Sequence, residues 1–153
     1  MKKGFTLVEL LVVVAILGIL AAVGIVSFGG FLGSAKENVL KTNHSYMIRY
    51  MQANILKCSL GETTLNTYSD SGIDPWVCDP STTALKYWGR FLVHFNATLK
   101  NPYNEDGSAV DGDQDCPSVL GRSGLSRDGL NAIILKTKYK QDENCLVTRV
   151  VVE

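Results

Sequence analysis

From Leu10 through Ala35 the chain carries no charged side chain, an uninterrupted run of 26 residues. That exceeds the roughly 20 apolar residues a helix needs to cross a bilayer. A run of this kind cannot sit inside a small soluble domain, and the 153-residue chain leaves room for only one further core. Lys2 and Lys3 precede the run, so the bias of basic residues toward the cytoplasm puts the N-terminus inside and the chain beyond about residue 35 outside. Fifteen basic side chains balance fifteen acidic ones, which argues against a strongly basic nucleic-acid binder. With 46% hydrophobic and 20% charged residues, the chain is not a disordered one. A secretory signal peptide cut near Ala21, Ala22, Val23 and Gly24, or a plain signal anchor, would account for the apolar run. Neither accounts for Glu9. An acidic side chain at that depth typically costs about 2.5–3.5 kcal/mol on insertion, and a chain that keeps one usually uses it.

The residues Met1, Lys2, Lys3, Gly4, Phe5, Thr6 and Glu9, followed by the apolar helix, resemble the N-terminus of a type IV prepilin or a type II secretion pseudopilin. The resemblance covers roughly the first 35 residues. It implies that a membrane-bound prepilin peptidase cuts after Gly4 on the cytoplasmic side and methylates the new amine of Phe5. Loss of Lys2 and Lys3 would leave two more acidic than basic side chains. Phe5 and Glu9 are four residues apart, roughly 6 Å along a helix, so the carboxylate can reach its own amine. The resemblance favours instead the amine of a neighbouring subunit in a filament. Either way, two charges that are costly alone in an apolar core compensate each other.

The apolar helix lacks the proline that many pilin helices carry and has Gly18, Gly24, Gly29, Gly30 and Gly33 instead. Each glycine disfavours the helix by about 1 kcal/mol relative to alanine, which predicts a segment that loosens readily in a filament. From Ser34 the pattern turns amphipathic, with Val39, Leu40, Met47, Met51 and Ile55 at helical spacing among Lys36, Glu37, Lys41 and Arg49. The helix is expected to continue to about Leu56. The predicted division is a leader at 1–4, a membrane and assembly helix at 5–33, its amphipathic continuation at 34–57 and a globular head at 58–153.

Residues 59–85, rich in Ser, Thr, Asp, Gly and Pro, read as a long loop. Residues 85–99 read as helix or strand, and 101–124 as loop again. Residues 133–139 and 146–152 alternate apolar with polar side chains across a turn and predict a β-hairpin. The expected fold is α+β, a long N-terminal helix packed on a small antiparallel sheet, which agrees with the resemblance. Cys58, Cys78, Cys116 and Cys145 all lie beyond the apolar run, and an even number on the exported side suggests disulfides with three connectivities to choose from. The pairing expected is Cys58 with Cys78 and Cys116 with Cys145, each closing a short loop and each contributing roughly 3–4 kcal/mol in the chain-entropy model.

Asp111, Asp113 and Asp115 place carboxylates at alternating positions, as calcium loops do, but Cys116 and Arg122 stand where the EF-hand template requires Gly and Glu. The stretch is either a solvated acidic loop or a calcium site of the kind major pseudopilins carry; no other cofactor is expected. His44 and His94 read as packing or surface histidines. Asn43 and Asn96 begin glycosylation sequons, a pattern frequent by chance. No catalytic constellation is present, so the chain does not read as an enzyme. The function expected is that of a structural subunit of a type IV pilus. It would lie first in the bacterial inner membrane and then in an extracellular filament of its own copies, served by the prepilin peptidase and the inner-membrane assembly machinery. The alternative is the major pseudopilin of a periplasmic type II secretion filament. A membrane-anchored adhesin or a DNA-uptake minor pilin follows, the latter needing a local basic patch such as Lys136, Lys138, Lys140 and Arg149. No nucleic-acid partner is expected.

Overall fold

A computed structural model describes residues 4–79, 81–104, 107–112, 115–141 and 144–152. The chain divides into two compact units, Met1–Ala35 and Lys36–Glu153. One helix, α1 (Leu7–Ser59), supplies residues to both. It runs unbroken through Gly18, Gly24, Gly29, Gly30 and Gly33, and ends three residues later than the sequence pattern suggests.

In the first unit α1 offers apolar side chains on every side and buries none of them: Ile25 is 75% and Phe28 is 68% exposed. A helix that is hydrophobic all round needs lipid or protein about it. With a mean hydropathy of 3.0 over an 18-residue stretch, α1 is long and apolar enough to cross a bilayer.

The second unit is built on the remainder of α1. The buried positions Leu40, His44, Met47, Met51, Asn54, Ile55 and Cys58 recur every three or four residues and form one stripe. A hairpin follows, β1 (Thr64–Ser69) antiparallel to β2 (Gly72–Val77), with Leu65 opposite Trp76 and Tyr68 opposite Ile73. It occupies the stretch expected to be loop. Only Leu65 and Thr67 of β1 are buried, so the alternation rests on one leucine and one threonine among turn-forming residues. Gly72 holds a φ of +108°, which favours glycine where the hairpin closes.

Residues 84–98 are the helix α2 (Ala84–Thr98), which resolves the open choice between helix and strand. Its buried residues Ala84, Tyr87, Phe91, His94 and Phe95 fall at spacings of three and four. Leu99 leaves helical geometry at φ −113° and ψ 152°, three residues before Pro102. Beyond it lies a four-stranded sheet in the order β3 (Val110–Asp111), β4 (Ser123–Asp128), β5 (Ala132–Thr137), β6 (Leu146–Val151). β4, β5 and β6 are antiparallel neighbours; the two-residue β3 runs parallel to β4 at one edge. β3 and the first two residues of β4 lie where loop was expected up to residue 124, and Ser123, Gly124 and Ser126 mask the strand pattern of β4. The core joins Met47, Met51 and Ile55 of α1, Tyr87, Phe91 and Phe95 of α2, and Leu125, Ile133, Leu135 and Val150 of the sheet. The fold is thus a long N-terminal apolar helix packed through its later turns on an antiparallel sheet.

Candidate assembly site and the anchoring of the head

Gly4, Phe5 and Thr6 precede the first turn of α1 and are exposed, Phe5 to 81%. No atom lies within 4 Å of a Cβ built on Gly4. At Thr6 the helix begins with a reciprocal cap. The Thr6 amide donates to Glu9 Oε2 at 2.9 Å, the Thr6 hydroxyl donates to the same oxygen at 2.7 Å, and the Glu9 amide donates to Thr6 Oγ1 at 3.3 Å. The pair satisfies amides that the first turn of any helix leaves without partners. The spacing Thr6-x-x-Glu9 carries this signal in the sequence.

In the head the cysteines form two bridges, Cys58–Cys78 with an S–S distance of 2.01 Å and Cys116–Cys145 with 1.99 Å. The first joins the last turn of α1 to the residue after β2; the second joins the loop before β4 to the residue before β6.

Both histidines are interior. His44 Nδ1 lies 2.8 Å from Thr137 Oγ1 and its Nε2 3.0 Å from Thr148 Oγ1, and Thr137 Oγ1 lies 2.8 Å from Ser123 Oγ. This hydroxyl chain fastens α1 across three strands. His94 stacks on Tyr50 with ring centroids 4.1 Å apart, and its Nδ1 accepts the Tyr68 amide at 3.1 Å. Burial holds both imidazoles below their ordinary pKa of 6.5. Burial, with Tyr46 and Tyr68 near by, pushes the Tyr50 phenol up to about 12. Asn96 is committed as well. Its amide donates to the Val110 carbonyl at 2.7 Å while its carbonyl accepts the Val110 amide at 3.0 Å, as a neighbouring strand would.

Of the three aspartates considered for calcium, Asp113 lies outside the described residues. Asp111 pairs with Arg122 at 2.7 Å. Among the described residues no group of three or more His, Cys, Asp or Glu is gathered as a metal site. Of the residues named for a basic patch, Arg149 Nε donates to Asp128 Oδ2 at 2.8 Å, which offsets its charge.

Residues 1–25 match the family model described as the prokaryotic N-terminal methylation motif. The type IV major pilin protein PilA of Myxococcus xanthus is 54% identical over 42 residues, covering 28% of this chain and 19% of that protein. The type IV major fimbrial protein FimA of Dichelobacter nodosus is 32% identical over 78 residues, covering 47% of this chain and 50% of that protein. The chain therefore spans about half or less of the length of these curated relatives. No solved structure matches it. These relatives are named as a pilin and a fimbrial protein, and the methylation motif with its apolar helix is consistent with a protein that lies in the inner membrane before it reaches the surface. In its N-terminal motif, its fimbrial relatives and its helix-on-sheet fold, the chain is similar to the type IV pilins and pseudopilins.

Proposed function

We propose that this protein is a structural subunit of a type IV pilus. It is inserted in the inner membrane by residues 5–33, cut after Gly4, methylated on Phe5 and then polymerised through its N-terminal helix. The observation that carries the reading is the apolar first unit, exposed on every side, with a single carboxylate in its first helical turn. The exposed, non-helical Gly4–Phe5 bond suits a peptidase, which must draw its substrate into an extended form. Once that bond is cut, the Phe5 amine is a cation beside hydrocarbon, and Glu9 of an adjoining subunit is the partner that offsets it.

Two bridges in the head suit an exposed surface filament. The engagement of Asp111 with Arg122 gives no support to the calcium-binding pseudopilin alternative.

Intact-mass measurement of membrane-extracted protein tests the processing. The expected mass is that of a chain beginning at Phe5 with one added methyl group, and Gly4→Val should leave the precursor uncut. Retention of Met1, or a cut near Ala22, would overturn the reading.

A further inference from the structure

The outer strands of the head are β1 and β2 in the hairpin and β3 and β6 in the larger sheet. An outer strand turns half of its backbone groups away from its neighbour, and such an edge invites pairing with another chain. On β3 the Asn96 side chain takes both backbone groups of Val110. On β1, His94 Nδ1 accepts the Tyr68 amide and the Tyr50 hydroxyl donates to the Asn66 carbonyl at 3.4 Å. On β2 the outward position in the middle of the strand is Pro75, which has no N–H to offer.

β6 has no such protection. The Val152 amide donates to the Asn131 carbonyl at 2.7 Å, and along an antiparallel ladder the bonded residues alternate with those that face away. The backbone groups of Leu146, Thr148 and Val150 therefore point to β5, and those of Val147, Arg149 and Val151 point outward. Among the described residues no group meets the outward set. The strand contains no proline, glycine or lysine to discourage pairing, and Val147 and Val151 are 60% and 50% exposed. Beside this edge a groove of about 170 Å³ separates α1 from the strand, lined by Gln52, Ile55, Leu56, Ser59 and Val151.

We propose that the edge of β6 is a strand-addition site for an extended segment of another protein, laid antiparallel to Leu146–Val151. Main-chain bonds give a contact of this kind its affinity, and alternate side chains give it selectivity. The segment carries apolar residues opposite Val147 and Val151 and a carboxylate opposite Arg149, whose Nε alone is bound to Asp128. On its other face an aliphatic side chain enters the groove beside Ile55 and Leu56. A second copy fits less well. Pairing β6 with β6 through all the outward groups sets Arg149 opposite Arg149, and like charges directly opposite repel. The site lies wholly in the second unit and does not depend on how the N-terminal helix is used.

The probe is an acetylated and amidated heptapeptide, Thr-Val-Leu-Glu-Thr-Val-Thr, titrated into the full chain in detergent. Its valines stand opposite Val151 and Val147, its glutamate opposite Arg149, and its leucine opposite Val150 on the side of the groove. At about ten times the dissociation constant, amide exchange at Val147, Arg149 and Val151 should slow about tenfold, with no comparable change at Thr148 and Val150. An analogue N-methylated at both valines and the glutamate loses its bonds to the edge and should bind about tenfold more weakly or worse. One N-methylated at the leucine and the central threonine, whose amides face away, should bind as the parent does. Val147→Pro removes an outward N–H without touching the ladder to β5 and should weaken the parent peptide severalfold at an unchanged melting temperature. If that chain does not fold, Leu56→Asp decides at an exposed position, weakening the parent peptide but not one with threonine in place of leucine. Equal binding of the two methylated analogues overturns the proposal, as does a parent peptide that binds no better than its scrambled sequence. Slowed exchange of the same amides on raising the protein concentration without peptide would give the edge to a second copy and overturn the partner proposed.

Discussion

The Glu9 carboxylate accepts the Thr6 amide and hydroxyl within its own first turn. In the proposed assembly step, leaving that cap for a neighbour's amine exchanges hydrogen bonds from neutral donors for an ion pair in an apolar surrounding. Glu9→Leu removes the cap and the proposed pairing but makes a better membrane helix, by about 2.5–3.5 kcal/mol on insertion scales. Insertion and processing should survive while filament yield falls sharply, because a buried charge stripped of its partner typically costs about 3–5 kcal/mol. Quantifying sheared filaments against membrane-bound subunit checks this, and wild-type yield from Glu9→Leu would remove Glu9 from assembly. At the same scale, the two buried histidines make the head sensitive to acid. Their folded pKa values lie below 6.5, so the unfolded chain takes up protons first as the pH falls. Stability should be complete above about pH 6.5, decline below it, and level off once the folded imidazoles protonate, with a slope of at most about 1.4 kcal/mol per pH unit for each histidine. At His94 the added proton would face the Tyr68 N–H, which already points at Nδ1. Urea denaturation at pH 7.5 and 5 should show the decline, and His94→Gln should flatten it.

The β1–β2 hairpin buries little apolar surface of its own and depends on what fastens it. Cys58–Cys78 holds its far end to α1, the Arg90–Asp74 ion pair holds it to α2, and His94 holds the Tyr68 amide. Replacing Cys58 and Cys78 together by Ala opens a loop set by a separation of 20 residues. The chain-entropy model puts the loss at about 3–4 kcal/mol. Thermal unfolding should report that loss, and amide exchange should rise first in residues 64–77. On the other side of α2, Asn96 takes the place of a neighbouring strand for Val110. Asn96→Ala leaves an amide and a carbonyl of a buried residue without partners, at about 1–3 kcal/mol. β3 should fray from β4 as a result, visible as faster exchange at Val110.

At the scale of the whole molecule, every described residue of the hydrophobic core lies in the second unit, from Met47 to Val152. Among its described residues the first unit contributes no buried side chain. A fragment beginning at Lys36 should therefore fold alone, with both bridges formed and a single cooperative melting transition. Circular dichroism and non-reducing peptide mapping check this outcome. A fragment that melts without cooperativity, or yields free thiols, would mean that the apolar segment supports the head.

The amino-acid sequence by itself determined the parts of this protein that face a surrounding medium. Twenty-six residues without a charge suit hydrocarbon wherever the remainder of the chain goes, and the motif from Gly4 to Glu9 is contiguous. The alternation in β5 and β6 was legible for a related reason, since one face of that hairpin meets water and the other the core. Only the tertiary structure decided what depends on distant partners. His44 is an interior clamp because Thr137, 93 residues away, comes to meet it. Asp111 is an ion-pair member because β3 lies beside β4, where Arg122 approaches. β1 and β4 became strands through their neighbours, since their serines, threonines and glycines show no marked pattern alone. Which of three cysteine pairings forms is likewise a matter of where the fold brings four sulfur atoms. Local chemistry selects the medium for a side chain, whereas its partner is selected by loop closure and packing over the whole domain, which no window of sequence contains.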